Sequence, residues 1–572
     1  MNGKDGLVIR IGDYIEKLYG SAGAQILDNI LNLAESWREK SKGFAEKNWV
    51  DEKDVMLITY GDSIKNENEM PLVTLTEFLN KHMNETITAV HVLPMYPYTS
   101  DDGFSITDYY EVDSSLGSWE DINRLAENFD IMLDGVINHV SKSSKWFKGF
   151  LDGDEEYRDY FITADPEGDY SSVTRPRALP LLTAFSTRDG VRHVWTTFSD
   201  DQIDLNYKNP KVLLEILNVL LFYAYNGARF IRLDAIGFAW KEMGTACINL
   251  ENTHMLVKLI RAVLQAVFPG TILITETNVP HSDNISYFGD GTDEAQLVYQ
   301  FPLPPLTLFS ILTANAEKLG RWAESLEKTP LTGNTAYFNF LASHDGIGMR
   351  PVEGILTESE KDVIYQTVIK HGGRISYKFD SDGSKSPYEL NINYMDALTD
   401  PTSPDMGTRV DRFVAAHAIM LSIAGMPGIY IHSLVGSQSW NEGLEQSRIN
   451  RRINREKLDA EKVSRELENE NSIRNRVFNR FKKLTGIRRQ HSAFSPMAEQ
   501  KVVFLDKRVF SLIRHNHETG EKILAIINVS PDELNLECSC KGFDIISNEA
   551  VESNGIRMLP YQCRWIRLDA GN

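Results

Sequence analysis

Cysteine is scarce in this sequence: Cys247, Cys538, Cys540 and Cys563 are the only four in 572 residues. So few, so scattered, exclude a disulfide framework. Cys538 and Cys540 lie two apart in a strand-like tail with no neighbouring His or Cys. A tetrahedral zinc site needs four ligands, so the pair is read as structural and no metal is expected. Long apolar runs are missing as well, none approaching the ~20 residues of a membrane span. The opening segment MNGKDGLVIRIGDYIEKLYG carries charge throughout and lacks the apolar stretch of an export signal, so a cytoplasmic location is expected. Positive charge is in deficit, with 60 Lys and Arg against 80 Asp and Glu, a net charge of -20. Such a surface repels phosphate backbones and anionic lipid, which argues against nucleic acid and membrane as partners. A local basic pocket for a small anion remains compatible with it. Repeats and low-complexity segments are also missing.

What is present is an ordinary soluble composition, 42% hydrophobic and 24% charged, in a chain too long for one simple domain. Helical spacing runs from about Ile11 to Lys47, through Ile15, Leu18, Ile26, Ile30, Leu31 and Leu33. Apolar strands then alternate with helices. Eight strands are expected at Val55–Tyr60, Thr88–Pro97, Phe129–His139, Ala228–Phe238, Thr271–Thr277, Ala295–Phe301, Thr335–Asp345 and Gly428–Ser433. Eight buried strands, most followed by a helix, specify an α/β fold: a (β/α)8 TIM barrel. Two insertions leave strand C-terminal ends, the catalytic face of such barrels: about 141–205 after strand three and 346–400 after strand seven. The second contains the turn-rich FDSDGSKSPYE. The expected organisation is an N-terminal helical segment (1–50), the barrel with its insertions (51–490) and a C-terminal antiparallel β domain (491–572). The run NREKLDAEKVSRELENENSIRNR reads as a solvated helical surface with intrahelical ion pairs.

Three acids fall at strand ends that a barrel gathers: Asp234, Glu276 and Asp345. Retaining glycoside chemistry needs a carboxylate nucleophile and a protonatable partner about 5–5.5 Å away. Adjacent strands lie ~4.8 Å apart, so acids ending strands four and five can supply the pair. Arg232, two residues before Asp234, shares its face of the strand and would keep it ionised.

The segments DGVINH (134–139), RLDA (232–235), TET around Glu276 and SHD (343–345) resemble the alpha-amylase superfamily, in that family's order and over nearly the whole chain. The resemblance implies Asp234 as nucleophile, Glu276 as acid/base and Asp345 as transition-state stabiliser, with His139 and His344 as hydroxyl donors. Within that superfamily, SDDGF (100–104), TRPRALP (174–180), SPYELN (386–391) and RRINREK (451–457) are similar to the sucrose phosphorylase group. This implies a glucose pocket with Asp101, an aromatic platform at Phe104, and Arg455 reaching the glucose site. It also implies an acceptor region with Arg177, Phe238, Asn278, Tyr388 and Glu389. A glucosyl-enzyme must be attacked by phosphate rather than by abundant water, which requires a cation that orients phosphate. Arg177 is the candidate; Lys370, Arg374, Lys378 and Lys385 read as solvated loop charges.

Sucrose phosphorylases carry Tyr, Gln and His where this chain has Phe238, Glu389 and Asn278. RLDAIGFAWKE, ETNVPH and TRPRALPLLT look more like the glucosylglycerate phosphorylase branch of the group. That branch implies phosphorolysis of 2-O-α-D-glucosyl-D-glycerate to α-D-glucose 1-phosphate and D-glycerate. Phosphate is then a co-substrate, with no cofactor and a monomeric or homodimeric enzyme. Phosphorolysis of sucrose or sucrose 6′-phosphate and hydrolysis of an α-glucoside are the alternatives. A sugar-binding module without activity is the reading from another class, against which the complete set of carboxylates argues.

Overall fold

A computed structural model describes residues 4–41, 47–177, 179–329, 334–379, 384–538, 540–553 and 555–569. Residues 42–46 of the N-terminal segment, Ala178 of TRPRALP and 380–383 of FDSDGSKSPYE lie outside the described residues.

Eight parallel strands close into a barrel: β1 (Met56–Thr59), β2 (Ala89–Val92), β3 (Asp130–Gly135), β4 (Ala228–Leu233), β5 (Ile272–Thr275), β6 (Leu297–Tyr299), β7 (Ala336–Phe340) and β8 (Met426–Tyr430). Each pairs with its sequence neighbours, and β1 closes the ring on β8. Apart from Asp130 and Arg229 at the lower ends of β3 and β4, every strand residue is buried. Both faces are therefore covered, which is why these segments read as apolar runs rather than alternating ones. All eight expected strands exist. The expected β2, β3, β4 and β7 overrun the ladder, however, to Pro97, His139, Phe238 and Asp345. Of the residues beyond the ladder, His139, Phe238 and Asp345 line the pocket at the mouth of the barrel. β8 starts two residues earlier than expected and stops at Tyr430, because Ile431–Leu434 coils into a short helix.

The N-terminal residues form two helices, Lys4–Tyr19 and Gly23–Lys40, which pack against the outer helices Pro210–Tyr225 and Glu251–Val267. Trp37 Nε1 donates to Asn218 Oδ1 at 2.8 Å, and Ile26, Ile30 and Ala34 are buried in the same core as the barrel. The first insertion holds a helix, Lys145–Asp152, and a hairpin, Leu182–Thr187 with Gly190–Trp195. Its neck is closed where His139–Val140 pairs antiparallel with Ile203–Asp204. The second is more ordered than its turn-rich composition implied. A helix, Glu358–Lys370, lies between the first strand and the other two of a three-stranded sheet, Ile347–Gly348, Lys385–Asn391 and Arg374–Phe379 in spatial order.

The charged run from 454 to 476 is not one helical surface. Leu458–Asp459 pairs in parallel with Ile64–Lys65, a helix spans Ala460–Glu468, and another begins at Ile473. Arg465 does pair with Glu461 one turn away, at 3.7 Å, but Arg474 reaches back across the break to Glu466 at 2.6 Å.

A six-stranded antiparallel sheet ends the chain, in the spatial order Glu499–Val502, Val509–His515, Lys522–Asn528, Cys563–Leu568, Cys540–Asp544 and Glu549–Ser553. Its seam with the barrel is built of large buried side chains. Trp565, fully buried, donates from Nε1 to Ser422 Oγ at 2.9 Å. Arg488 donates to the carbonyls of Leu421, Glu52, Gly425 and Phe494, and Arg514 to those of Ser422, Ser495 and Ala498. Both guanidiniums are dry, and burial lowers their pKa values, to about 10 and about 9. Carbonyl oxygens take the place of a counter-ion there. The four cysteines are free thiols. No helix among the described residues is long and apolar enough to cross a membrane.

Candidate active site

The ends of β4 and β5 bring the two central acids into register. Leu233 lies opposite Thr275, so Asp234 and Glu276 follow at matching heights. Glu276 N donates to Leu233 O at 3.1 Å, and Asp234 N to Gly135 O at 3.2 Å, which extends the ladder by one step on each side. The chain then turns sharply at Ala235, whose φ of +47° lies in the left-handed region. That turn aims the Ala235 N–H at Glu276 Oε2, 3.0 Å away.

Arg232 organises the charges. It donates to Asp234 Oδ1 at 2.8 Å and also pairs with Asp134. Its distance to Glu276 Oε2 is longer, 3.8 Å. Asp134 in turn contacts His91 Nε2 at 2.7 Å. Burial raises Glu276 most, and the charges of Asp234 and Asp345 raise it further, to about 7, against the pull of Arg232. Burial also pushes Asp234 upward, with Arg232 opposing. Direct contact with the guanidinium makes Asp234 the member that ionises first, and leaves the shared proton on Glu276. Two carboxyls whose environments separate them this way are suited to nucleophile and acid.

Asp345 stands beyond the end of β7. Burial acts to raise its pKa, yet Arg451, His344 and Arg455 hold it well below the usual carboxylate range. Arg451 Nη1 lies 2.6 Å from its Oδ1. His344 stacks on Phe104, with ring centroids 5.0 Å apart and planes 6° from parallel. Burial and the surrounding arginines lower His344 to about 3, so the ring is neutral. His139 is also buried and lowered. Its Nε2 contacts Phe104 O at 2.8 Å and its Nδ1 contacts Asn138 Nδ2 at 3.2 Å, so both ring nitrogens are engaged within the protein.

The SDDG turn uses strained backbone, with φ of +54° at Asp101 and +49° at Asp102. Successive carboxylates are thereby sent in opposite directions. Asp101 accepts from Arg177 Nη2 at 2.8 Å and from Gln202 Nε2 at 3.3 Å. Asp102 takes Arg452 and Arg455. The pocket is lined by Asp101, Phe104, His139, Arg177, Asp234, Phe238, Glu276, Asn278, His344, Asp345, Tyr388 and Glu389.

Two expected residues stand behind this wall. Arg232 is 3% exposed and backs the carboxylates. Arg455 is behind the lining rather than in it: it pairs with Asp102, donates to the His344 carbonyl and lies 3.6 Å from Asp345 Oδ1, 2% exposed. The reason is local geometry. Asn450–Asn454 is a 3-10 helix, in which residues three apart share a face. Arg451 and Asn454 therefore face the pocket, while Arg452 and Arg455 face Asp102. Arg451, not singled out from the sequence, grips Glu389 with two bonds (Nε to Oε1 3.0 Å, Nη2 to Oε2 2.6 Å) besides its pair with Asp345.

Phe198 is a second unforeseen residue. It packs edge-on to Phe238 at 5.4 Å and lies 5.7 Å from the Arg177 guanidinium. Asn278 Nδ2 faces Tyr388 Oη at 3.4 Å. Gln202 and Arg350 also line the pocket, whereas Lys370, Arg374, Lys378 and Lys385 do not.

A profile for the alpha amylase catalytic domain matches residues 79–363. The glucosylglycerate phosphorylase of Escherichia coli (strain K12) is 45% identical over 98% of this chain and 100% of its own length. The chain belongs to the glucosylglycerate phosphorylase family. The enzyme of that name from Spirochaeta thermophila is 47% identical, over 91% of this chain and 89% of its own. Among solved structures, sucrose 6F-phosphate phosphorylase from Thermoanaerobacter thermosaccharolyticum superposes with a TM-score of 0.73 at 25% identity, covering 91% of this chain and 99% of that one. Phe238, Asn278 and Glu389 are all on the pocket wall.

Proposed function

We propose that this protein is a retaining phosphorylase that converts 2-O-α-D-glucosyl-D-glycerate and phosphate to α-D-glucose 1-phosphate and D-glycerate. The observation that carries it is the carboxylate pair at the base of the pocket, with Asp234 bonded to Arg232 and Glu276 to the Ala235 N–H. Arg232 holds Asp234 ionised, and Glu276 keeps its proton near neutral pH. In the first step Asp234 attacks C1 while Glu276 protonates the departing glycerate oxygen. In the second, a phosphate oxygen attacks C1 from the opposite face, and Glu276 takes the phosphate proton. Two inversions give net retention. Asp345, fixed by Arg451, accepts hydroxyl hydrogens of the glucosyl ring, and the Phe104–His344 stack supports its apolar face.

Arg177 supplies the phosphate cation in this reading. It rests on Asp101, and glucosyl hydroxyls that engage Asp101 free it for phosphate. Arg177→Ala should lower kcat/KM for phosphate by about 10- to 100-fold, the loss of a charge-assisted contact. Phosphorolysis kept within a few-fold of wild type would remove Arg177 from this role.

No cofactor beyond the co-substrate phosphate is part of the reading, and four free thiols fit a cytoplasmic, reducing location. The deciding assay incubates the enzyme with glucose 1-phosphate and glycerate, glycerol, fructose or fructose 6-phosphate, and follows phosphate release. Glycerate should be the best acceptor. A higher rate with fructose or its 6-phosphate would move the enzyme to the sucrose-type reaction, and glucose release independent of phosphate would make it a hydrolase.

A further inference from the structure

Three arginines line the pocket: Arg177, Arg350 and Arg451. Two of them are already matched by carboxylates, Arg177 by Asp101 and Arg451 by Asp345 and Glu389. Arg350 has no such partner among the described residues, and its Nε is buried without a hydrogen bond. A half-buried guanidinium left this way is costly, and an anion bound against it removes the cost.

Its position says which anion. Arg350 follows Gly348 and Met349 in the segment beyond β7. A Cβ at Gly348 would stand 3.1 Å from Asn278 Nδ2, so the backbone packs directly on that side chain. Met349 N donates to Tyr388 O at 3.0 Å. Arg350 thus belongs to the wall of Asn278 and Tyr388, and Asn278 is only two residues from Glu276. In a 2-O-glucosyl glycerate the carboxylate is bonded to the same carbon as the oxygen that Glu276 protonates. The acid group is therefore delivered to the wall next to Glu276, where a planar guanidinium can meet it with two parallel bonds.

We propose that Arg350 binds the carboxylate of the acceptor acid and is the residue that makes the pocket select a 2-hydroxy acid over a neutral polyol or ketose. This rests on the glucosylglycerate reading and assigns the acceptor half of it. Phosphate is left to Arg177, on the side of Asp101.

The test uses Arg350→Gln and Arg350→Lys in the full chain, with three reactions: glucosyl transfer from glucose 1-phosphate to D-glycerate, transfer to glycerol, and arsenolysis of glucose 1-phosphate. Arsenolysis needs the glucosyl and phosphate sites but no glycerate, and it also reports that the variant is folded. Arg350→Gln should raise KM for glycerate about 100-fold, with kcat changed far less. The ratio of glycerol to glycerate use should rise by a similar factor, while arsenolysis stays within about 3-fold. Lys, which keeps the charge but not the fork, should recover part of the glycerate affinity. Equal losses in arsenolysis and glycerate transfer would assign Arg350 to phosphate and overturn the proposal, as would unchanged glycerate kinetics. If the wild-type enzyme itself fails to use glycerate, the functional reading fails first and takes the proposal with it.

Discussion

Asp234→Asn should lower kcat for phosphorolysis by at least about 10⁴-fold, because the amide cannot form the glucosyl ester. Arg232 donates to Asp234 Oδ1, an acceptor that the near-isosteric amide retains, so the fold should be unchanged. The smaller variant Asp234→Ala makes the assignment specific. With the nucleophile gone and Glu276 still able to donate a proton, added azide can attack C1 only from the vacated face. The product should be β-glucosyl azide, of inverted configuration. Recovery of α-glucosyl azide from this variant, or appreciable glucose 1-phosphate from Asp234→Asn, would show that another group forms the covalent bond.

Glu276→Gln should slow reactions according to how much their leaving group needs a proton. Loss with glucosylglycerate should be on the order of 10³-fold, the middle of the range for general acid catalysis, and far smaller with α-glucosyl fluoride. The pH profile gives the same assignment independently. Wild-type kcat/KM for glucosylglycerate should fall as pH rises through about 7, where the Glu276 proton is lost. That limb should vanish in the Gln variant. Stability follows with a definite sign. The folded-state pKa is raised from 4.5 to about 7, so the favourable contribution of the neutral acid is complete below pH 4.5 and lost as pH rises through about 7. Above that, the buried charge costs on the order of 3 kcal/mol, at 1.36 kcal/mol per unit of pKa. Glu276→Gln should therefore unfold at higher denaturant than wild type at pH 8.5 and at the same concentration at pH 4. Identical curves at both pH values would mean that Glu276 is not the proton holder.

The barrel was legible because each of its strands is buried on both faces and so reads as a continuous apolar run, such as VMLITY and TILITET. Where those strands stop was not legible. Apolar residues continue past Leu233 and Phe340 (Ala235, Ile236 and Phe238; Leu341 and Ala342), and pairing partners mark where the ladder stops. The acids at Asp234, Glu276 and Asp345 could be found because the barrel dictates where strand ends meet. Arg451 and Arg455 could not be told apart, since choosing between them needs the 3-10 winding of Asn450–Asn454. Arg350 was invisible for a related reason. Its distinction is the lack of a carboxylate partner, which depends on where every other charge in the pocket has gone. The sheet between Arg374 and Asn391 was hidden behind turn-forming residues.

The seam between the barrel and the C-terminal sheet constrains the order in which the protein can mature during synthesis. β8 and the helix before it leave the ribosome some 130 residues ahead of Trp565. Until that tryptophan and Arg514 arrive, the carbonyl and hydroxyl of Ser422 lack their final partners. Arg488, already made, has its carbonyl acceptors at Leu421, Glu52, Gly425 and Phe494. Domains commonly fold one after another as the chain emerges. Here the seam beside the eight-strand ring takes its final hydrogen bonds only once Cys563–Leu568, which carries Trp565, has joined it.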